Sequence, residues 1–241
     1  SWFGGLALEC GSNVRQRLNW KRKKSLELFL LLLSRPRYMV PKDWAVEILF
    51  GDTQPKNAAN QLYVTVHQLK KTLQEQLGVE QGVLQHSGTI RLREDWIEFV
   101  DIEQYTTLVR VGDQLWLQER DIAAELYERA AEMYGEALPE LPYIEWLENY
   151  KQQLMEQQAR VLQRLADLSA LNGRCEAAAE YGRRWIQVNP LQEEAYQTLL
   201  KALMQLGKAA EAREWFARWE TLCRRELDME PHPDTRKILT R

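Results

Sequence analysis

Residues 55–78 read PKNAANQLYVTVHQLKKTLQEQLG. Proline suits the first turn of a helix and glycine suits a left-handed turn after its end, so the stretch predicts a helix over residues 55–77. Four apolar side chains spaced by four, three and four residues form one stripe along it: Leu62, Val66, Leu69 and Leu73. The opposite face of this helix is therefore expected to meet solvent or a ligand.

The sequence around this helix predicts the rest of the first half. Turn and period patterns indicate strands over 3–9 and 14–20 joined by Gly11-Ser12-Asn13, helices over 21–34 and 41–50, and a hairpin of 83–85 and 90–93 through Ser87-Gly88. Leu26, Phe29, Leu30 and Leu33 are the expected buried face of the first helix. A strand pair, three helices and a terminal hairpin, in that order, are the layout of a winged helix.

The polar face of the third helix is the candidate DNA-reading surface, since a helix of this kind lies in the major groove. Asn and Gln can pair with adenine, a valine can contact a thymine methyl, and Lys suits phosphate. The candidate residues on the helix are Lys56, Asn57, Asn60, Gln61, Tyr63, Val64, His67, Gln68, Lys70 and Lys71, with Thr65 at the margin. A merely solvated face is the alternative, but such faces usually mix charges, and residues 55–74 contain no Asp or Glu.

Further basic residues lie outside this helix. The run Lys21-Arg22-Lys23-Lys24 is either a phosphate clamp or a solvated run at the start of the first helix. Arg91 and Arg93 alternate on the second hairpin strand, where they either reach the minor groove or phosphates as a wing, or face solvent.

The net charge of −3 argues against nucleic acid if the chain is taken whole. Residues 1–93, however, hold 14 Lys and Arg against 7 Asp and Glu, whereas residues 94–241 hold 18 against 28. The halves thus carry +7 and −10. This asymmetry predicts two domains with different partners, which we place at 1–95 and 96–241.

The second half has helical periodicity almost throughout. Helices are predicted over 101–111, 114–135, 142–172, 174–188, 191–206, 208–228 and 233–240. A spacing of 34 residues relates Gly173 to Gly207, Ala178 to Ala212, Glu180 to Glu214, Tyr181 to Trp215, Arg184 to Arg218 and Trp185 to Trp219. This is the tetratricopeptide period. The alternative is a generic helical bundle with two similar hairpins.

Five short motifs carry a family resemblance. Residues 134–139 (YGEALP) with Tyr143 and Trp146, residues 189–196 (NPLQEEAY), Leu206-Gly207 with Ala210 and Ala212, and residues 226–231 (ELDMEP) with Asp234-Thr235 resemble the bacterial transcriptional activator domain, BTAD. Ala59, Leu62, Leu69-Lys70-Lys71 and Leu73 are similar to the recognition helix that precedes that domain. The whole chain resembles the SARP-type transcriptional regulators.

The resemblance implies a mostly α-helical protein: an OmpR-like winged helix of mixed α and β structure, then an all-helical, tetratricopeptide-like BTAD. It implies a sequence-specific regulator, an activator in family habit, whose helical domain serves regulation, dimerisation or partner contacts. The expected partners are double-stranded DNA, RNA polymerase and a second copy of the chain. Because the chain begins at Ser1 rather than Met, an upstream sensor or receiver domain, as in two-component signalling, is a further expectation.

Four positions depart from the family pattern. Lys70-Lys71 replaces an arginine pair, which keeps charge but loses the planar fork that arginine offers to guanine. Asp228 stands where the family has glycine, and Phe50 stands where a tryptophan is expected before the loop that can contact polymerase in OmpR-like proteins.

Catalytic motifs are not found in the sequence: we see no phosphate-binding loop, nucleophile elbow or zinc-protease motif, so no enzyme, cofactor or metal is expected. Cys10, Cys175 and Cys223 predict unlinked thiols in the cytoplasm, and the longest apolar run, residues 28–33, is far below the ~20 residues of a membrane helix. The alternative function is a tetratricopeptide-like interaction scaffold whose winged helix has lost DNA binding.

Overall fold

The computed structural model describes residues 1–10, 14–16, 18–139, 141 and 144–240, with the backbone alone at 8–10 and 14–16. The predicted turn Gly11-Ser12-Asn13 and the motif residue Tyr143 lie outside the described residues. The chain divides into two compact units. Unit 1 is Ser1–Thr106 with Gly135–Trp146, and unit 2 is Thr107–Tyr134 with Leu147–Arg241.

The core of unit 1 is built on helix α1 (Lys23–Leu33). Helices α2 (Lys42–Phe50) and α3 (Pro55–Leu77) pack against it. Two short strands, β3 (Met39–Pro41) and β5 (Thr89–Leu92), also contact α1. Every residue from Ser25 to Leu33 is buried, including Glu27, which pairs with Lys24 at 2.8 Å. The prediction of a single buried face was therefore too narrow, because α1 is covered on several sides.

A three-stranded antiparallel sheet closes unit 1, in the order β3 (Met39–Pro41), β5 (Thr89–Leu92), β4 (Val83–His86). The predicted β4–β5 hairpin is confirmed. Ser87 and Gly88 both have positive φ, 46° and 78°, which is the geometry of a two-residue turn that matches strand twist. Strand β3 was missed, because its three residues pair only with the distant β5.

The amino-terminal strands are shorter than predicted. Strands β1 (Leu8–Cys10) and β2 (Val14–Gln16) pair with each other, but residues 1–4 lie along residues 136–138. Phe3 forms a bridge with Ala137, and the Leu138 amide donates to the Trp2 carbonyl at 2.9 Å. The Asp101 carboxylate accepts hydrogen bonds from the amides of Trp2 at 2.8 Å and Phe3 at 2.9 Å.

Unit 2 consists of helices, and all seven predicted segments after residue 100 contain one. Their bounds are α4 (Asp101–Leu115), which begins in unit 1, α5 (Arg120–Met133), α6 (Glu145–Leu171), α7 (Cys175–Val188), α8 (Glu193–Gln205), α9 (Ala209–Leu222) and α10 (Pro233–Lys237). The predicted helix over 208–228 changes from α to π geometry at its end, in a π-turn over Cys223–Leu227. Asp228 follows this turn with a left-handed φ of 51°.

The 34-residue repeat is visible in the backbone. Helix α7 packs against α8, and α8 packs against α9. The turn before α7 has Gly173 at φ 69° and a hydrogen bond from the Arg174 amide to the Ser169 carbonyl at 2.8 Å. The turn before α9 has Gly207 at φ 73° and the matching bond from Lys208 to Leu203 at 2.9 Å. Both equivalent pairs Ala178 and Ala212, and Trp185 and Trp219, are buried.

The segment over residues 189–196 connects these helices through its side chains. The Trp185 indole donates to Gln192 at 2.9 Å, and Tyr196 stacks on Trp219 with ring centroids 4.5 Å apart. The Glu193 carboxylate accepts from the His232 amide at 2.8 Å and the Thr235 hydroxyl at 2.6 Å, which fixes the start of α10. The motif residues in this segment are thus packing and capping residues.

Candidate nucleic-acid interface

Helix α3 has one buried and one exposed face, as its spacing predicts. Leu62, Val66, Leu69 and Leu73 are all buried against the core of unit 1. Gly78 ends the helix in a left-handed conformation, φ 68°, where its amide bonds the Gln74 carbonyl at 3.1 Å. Thr65, expected at the margin of the polar face, is instead 4% exposed and belongs to the packed face.

The middle of the exposed face is neutral and polar. Six of the candidate residues share it over about three turns of helix, with Val64 at its centre and 38% exposed. The others are Asn57, Asn60, Gln61, His67 and Gln68, of which only Gln68 is partly buried. This row offers amide donors and acceptors together with one apolar group.

A second row flanks the first on one side. Lys56, Tyr63 and Lys70 recur every seven residues, close to two turns, so their Cα atoms rise by about 10.5 Å per step. Tyr63 is 70% exposed. Among the described residues, neither Lys56 nor Lys70 has an ion-pair partner within 4 Å. This row presents two free cations and a hydroxyl along one edge.

An ion-pair network lies at the end of α3. Glu75 bonds Lys21 of the basic run at 3.2 Å and Lys71 at 3.6 Å. The hydrogen bond from Lys21 is the main cause that lowers the pKa of Glu75 below its ordinary value. Lys71 is therefore partly neutralised, and the basic run before α1 lies beside the end of α3. The four-residue spacing of Lys71 and Glu75 is a signal the sequence contained, whereas the Lys21 contact depends on tertiary packing.

The β4–β5 hairpin presents its two arginines differently. Arg91 is exposed on β5, opposite Met39 of β3 and Leu84 of β4, and has no ion-pair partner among the described residues. The partly buried Arg93, beyond the end of β5, bonds Asp95 at 2.6 Å. Of the two, Arg91 is the side chain available to an anion.

Other kinds of site are not evident in the described part of the chain. It contains no group of three or more His, Cys, Asp or Glu side chains that could hold a metal ion. None of its helices is both long and apolar enough to span a membrane.

The folds define a chain of two units: one small and mixed with an exposed acid-poor helix, the other helical with a tetratricopeptide-like period. The profile of the bacterial transcriptional activator domain matches residues 100–241. The chain belongs to this family. The match supports the resemblance to SARP-type regulators, a class of regulators rather than enzymes.

The solved structures that match this chain include two of low sequence identity. Mycobacterium tuberculosis EmbR, in complex with a low-affinity phosphopeptide, is 17% identical with a TM-score of 0.71 over 100% of this chain. It shows a shared fold, and the chain spans 63% of EmbR. The C-terminal TPR-containing domain of a Plasmodium falciparum FK506-binding protein is 16% identical in sequence. The match covers 59% of this chain and 90% of that domain, and its TM-score of 0.42 is too low to show a shared fold. No curated protein matches the sequence.

Proposed function

We propose that the chain is a sequence-specific, DNA-binding transcriptional regulator in which α3 lies in the major groove. The observation that carries the proposal is the exposed face of α3, which combines an amide-rich middle row with a cationic flank and has no acid before Glu75. DNA carries a dense negative charge, so a surface without carboxylates loses nothing to repulsion when it approaches.

In this proposal residues 1–95, which form most of unit 1, are an OmpR-like winged helix, and the helical domain follows from residue 96. The three helices and the β4–β5 hairpin occur in the order that this fold requires. Arg91 on the hairpin is the wing residue, with Arg93 free to exchange its exposed partner Asp95 for a phosphate. RNA polymerase, a second copy of the chain and an upstream sensor or receiver domain are the proposed partners.

The proposal is tested by fluorescence anisotropy of the full chain on duplexes recovered by selection from a random library. Lys70→Ala with Lys71→Ala should weaken binding to every sequence and make the slope of log affinity against log salt shallower by about 2, one per phosphate contact. Glu75→Gln removes the carboxylate beside Lys71 and should tighten binding at low salt.

A matched control is Lys201→Ala with Lys208→Ala, which removes two exposed lysines of unit 2. This pair should leave both affinity and salt slope unchanged. The proposed placement of α3 is wrong if the two double variants behave alike, and the proposal of DNA binding is wrong if the selection recovers no enriched duplex.

A second candidate function is an interaction scaffold. Leu117, between α4 and α5, is 85% exposed, and Leu171, at the end of α6, is 76% exposed. Tetratricopeptide-like repeats bind other chains through their surfaces, and a bound chain would cover exposed leucines of this kind. The scaffold would be favoured if the DNA selection fails and if a protein partner that binds the parent chain no longer binds the Leu117→Ser and Leu171→Ser variants.

A further inference from the structure

We infer that the base pairs beneath the first half of α3 are A·T pairs, an inference that rests on the proposed DNA binding. The amino-terminal residues of a recognition helix contact base edges, while later turns run toward the backbone. In the middle row of α3 the early exposed positions are Asn57, Asn60, Gln61 and Val64.

The chemistry of these four side chains fits adenine and thymine. An Asn or Gln amide accepts from adenine N6 and donates to adenine N7, which makes a two-pronged contact. Thymine presents a methyl group in the major groove, and the exposed Val64 at the centre of the row is the apolar group that matches it.

Guanine finds no arginine on this helix. Its O6 and N7 are usually contacted by arginine or lysine, and α3 contains no arginine. Lys56 and Lys70 lie on the flanking row beside Tyr63. Lys71 lies more than four turns from the helix start and is paired with Glu75. The cations of α3 are therefore placed for phosphates rather than for guanine.

The test uses the full chain and the duplex recovered by selection, altered one atom group at a time. Replacing each thymine by uracil removes only the methyl, and 7-deazaadenine removes only the N7 acceptor. We expect one thymine at which loss of the methyl group weakens binding about three- to fivefold, the effect of roughly one buried methyl. At one adenine or more, loss of the N7 acceptor should weaken binding about tenfold.

Variants then assign these losses. In Val64→Ala the thymine effect should vanish, and in Asn57→Ala, Asn60→Ala or Gln61→Ala one adenine effect should vanish. Alanine favours helix, so these exposed replacements keep α3 folded, which circular dichroism checks. Gln74→Ala, an exposed amide near the end of α3, is the matched control that should preserve every effect.

The outcomes separate the two proposals. A selected core of G·C pairs, or base effects that persist in every variant, overturns this inference while DNA binding stands. If no duplex binds at all, the proposed function falls, and this inference falls with it.

Discussion

Asp228 departs from the family pattern at a position where the backbone conformation favours glycine. It follows the π-turn at the end of α9 with a φ of 51°, a conformation in which an L side chain crowds the backbone and glycine does not. The family pattern has glycine here. Aspartate is among the residues that tolerate this region best, which explains how the departure keeps the fold.

Asp228→Gly should therefore stabilise the chain by about 0.5–1 kcal/mol, since relief of strain outweighs the added freedom of the unfolded chain. Asp228→Val should destabilise it, because a β-branched residue is the worst fit at positive φ. Urea unfolding measures both. An Asp228→Gly variant less stable than the parent would show that the aspartate side chain contributes more than its backbone costs.

The turns before α7 and α9 are two copies of one structure. Gly173 and Gly207 have nearly the same φ, and a Cβ added at either would find nothing within 4 Å. The cost of a side chain at these turns is therefore backbone strain alone, without a steric clash.

Gly173→Ala and Gly207→Ala should each lower the free energy of unfolding by about 1 kcal/mol, and by the same amount within error. Asparagine at either position should cost less, since it tolerates the left-handed region. Thermal or urea unfolding of the four variants checks this. Unequal costs would mean that the two turns differ in the unfolded chain or in their surroundings.

Elements with local signals are the ones that the sequence predicts well. Pro55 and Gly78 bound α3 at the predicted residues, and Ser87-Gly88 makes the predicted hairpin. The first strand was wrong because residues 1–4 pair with residues more than 130 positions away, a contact no local pattern records. On the candidate face, the pattern of apolar residues predicted exposure well, but the packing of Thr65 and the Lys21–Glu75 contact depend on tertiary structure.

Two tyrosines of unit 2, the buried Tyr127 and the partly buried Tyr181, are expected to limit the stability of the molecule in alkali. Burial, together with the hydrogen bond to Asp113, raises the pKa of Tyr127 to about 12. Burial, together with the nearby negative charge of Glu128, raises the pKa of Tyr181 to about 12. An unfolded tyrosine titrates near 10. The stability that the two neutral tyrosines add to the folded state is therefore complete below about pH 10, and it is lost as the pH rises from about 10 to 12.

The free energy of unfolding should fall steeply over that interval, together with a rise in tyrosinate absorbance. Tyr127→Phe should be less stable at neutral pH, having lost its bond to Asp113, but should show a shallower fall above pH 10. Urea unfolding at several pH values measures this. An unchanged slope in the variant would show that Tyr127 does not set the alkaline limit.

The pairing of residues 1–4 with residues 136–138 has a consequence for exchange between relatives. Unit 1 is assembled from two separate stretches of chain, so a hybrid made at a single crossover near residue 100 would take half of that β contact from each parent. A hybrid that keeps this contact intact has to take residues 135–146 together with the amino-terminal part, which requires three junctions rather than one.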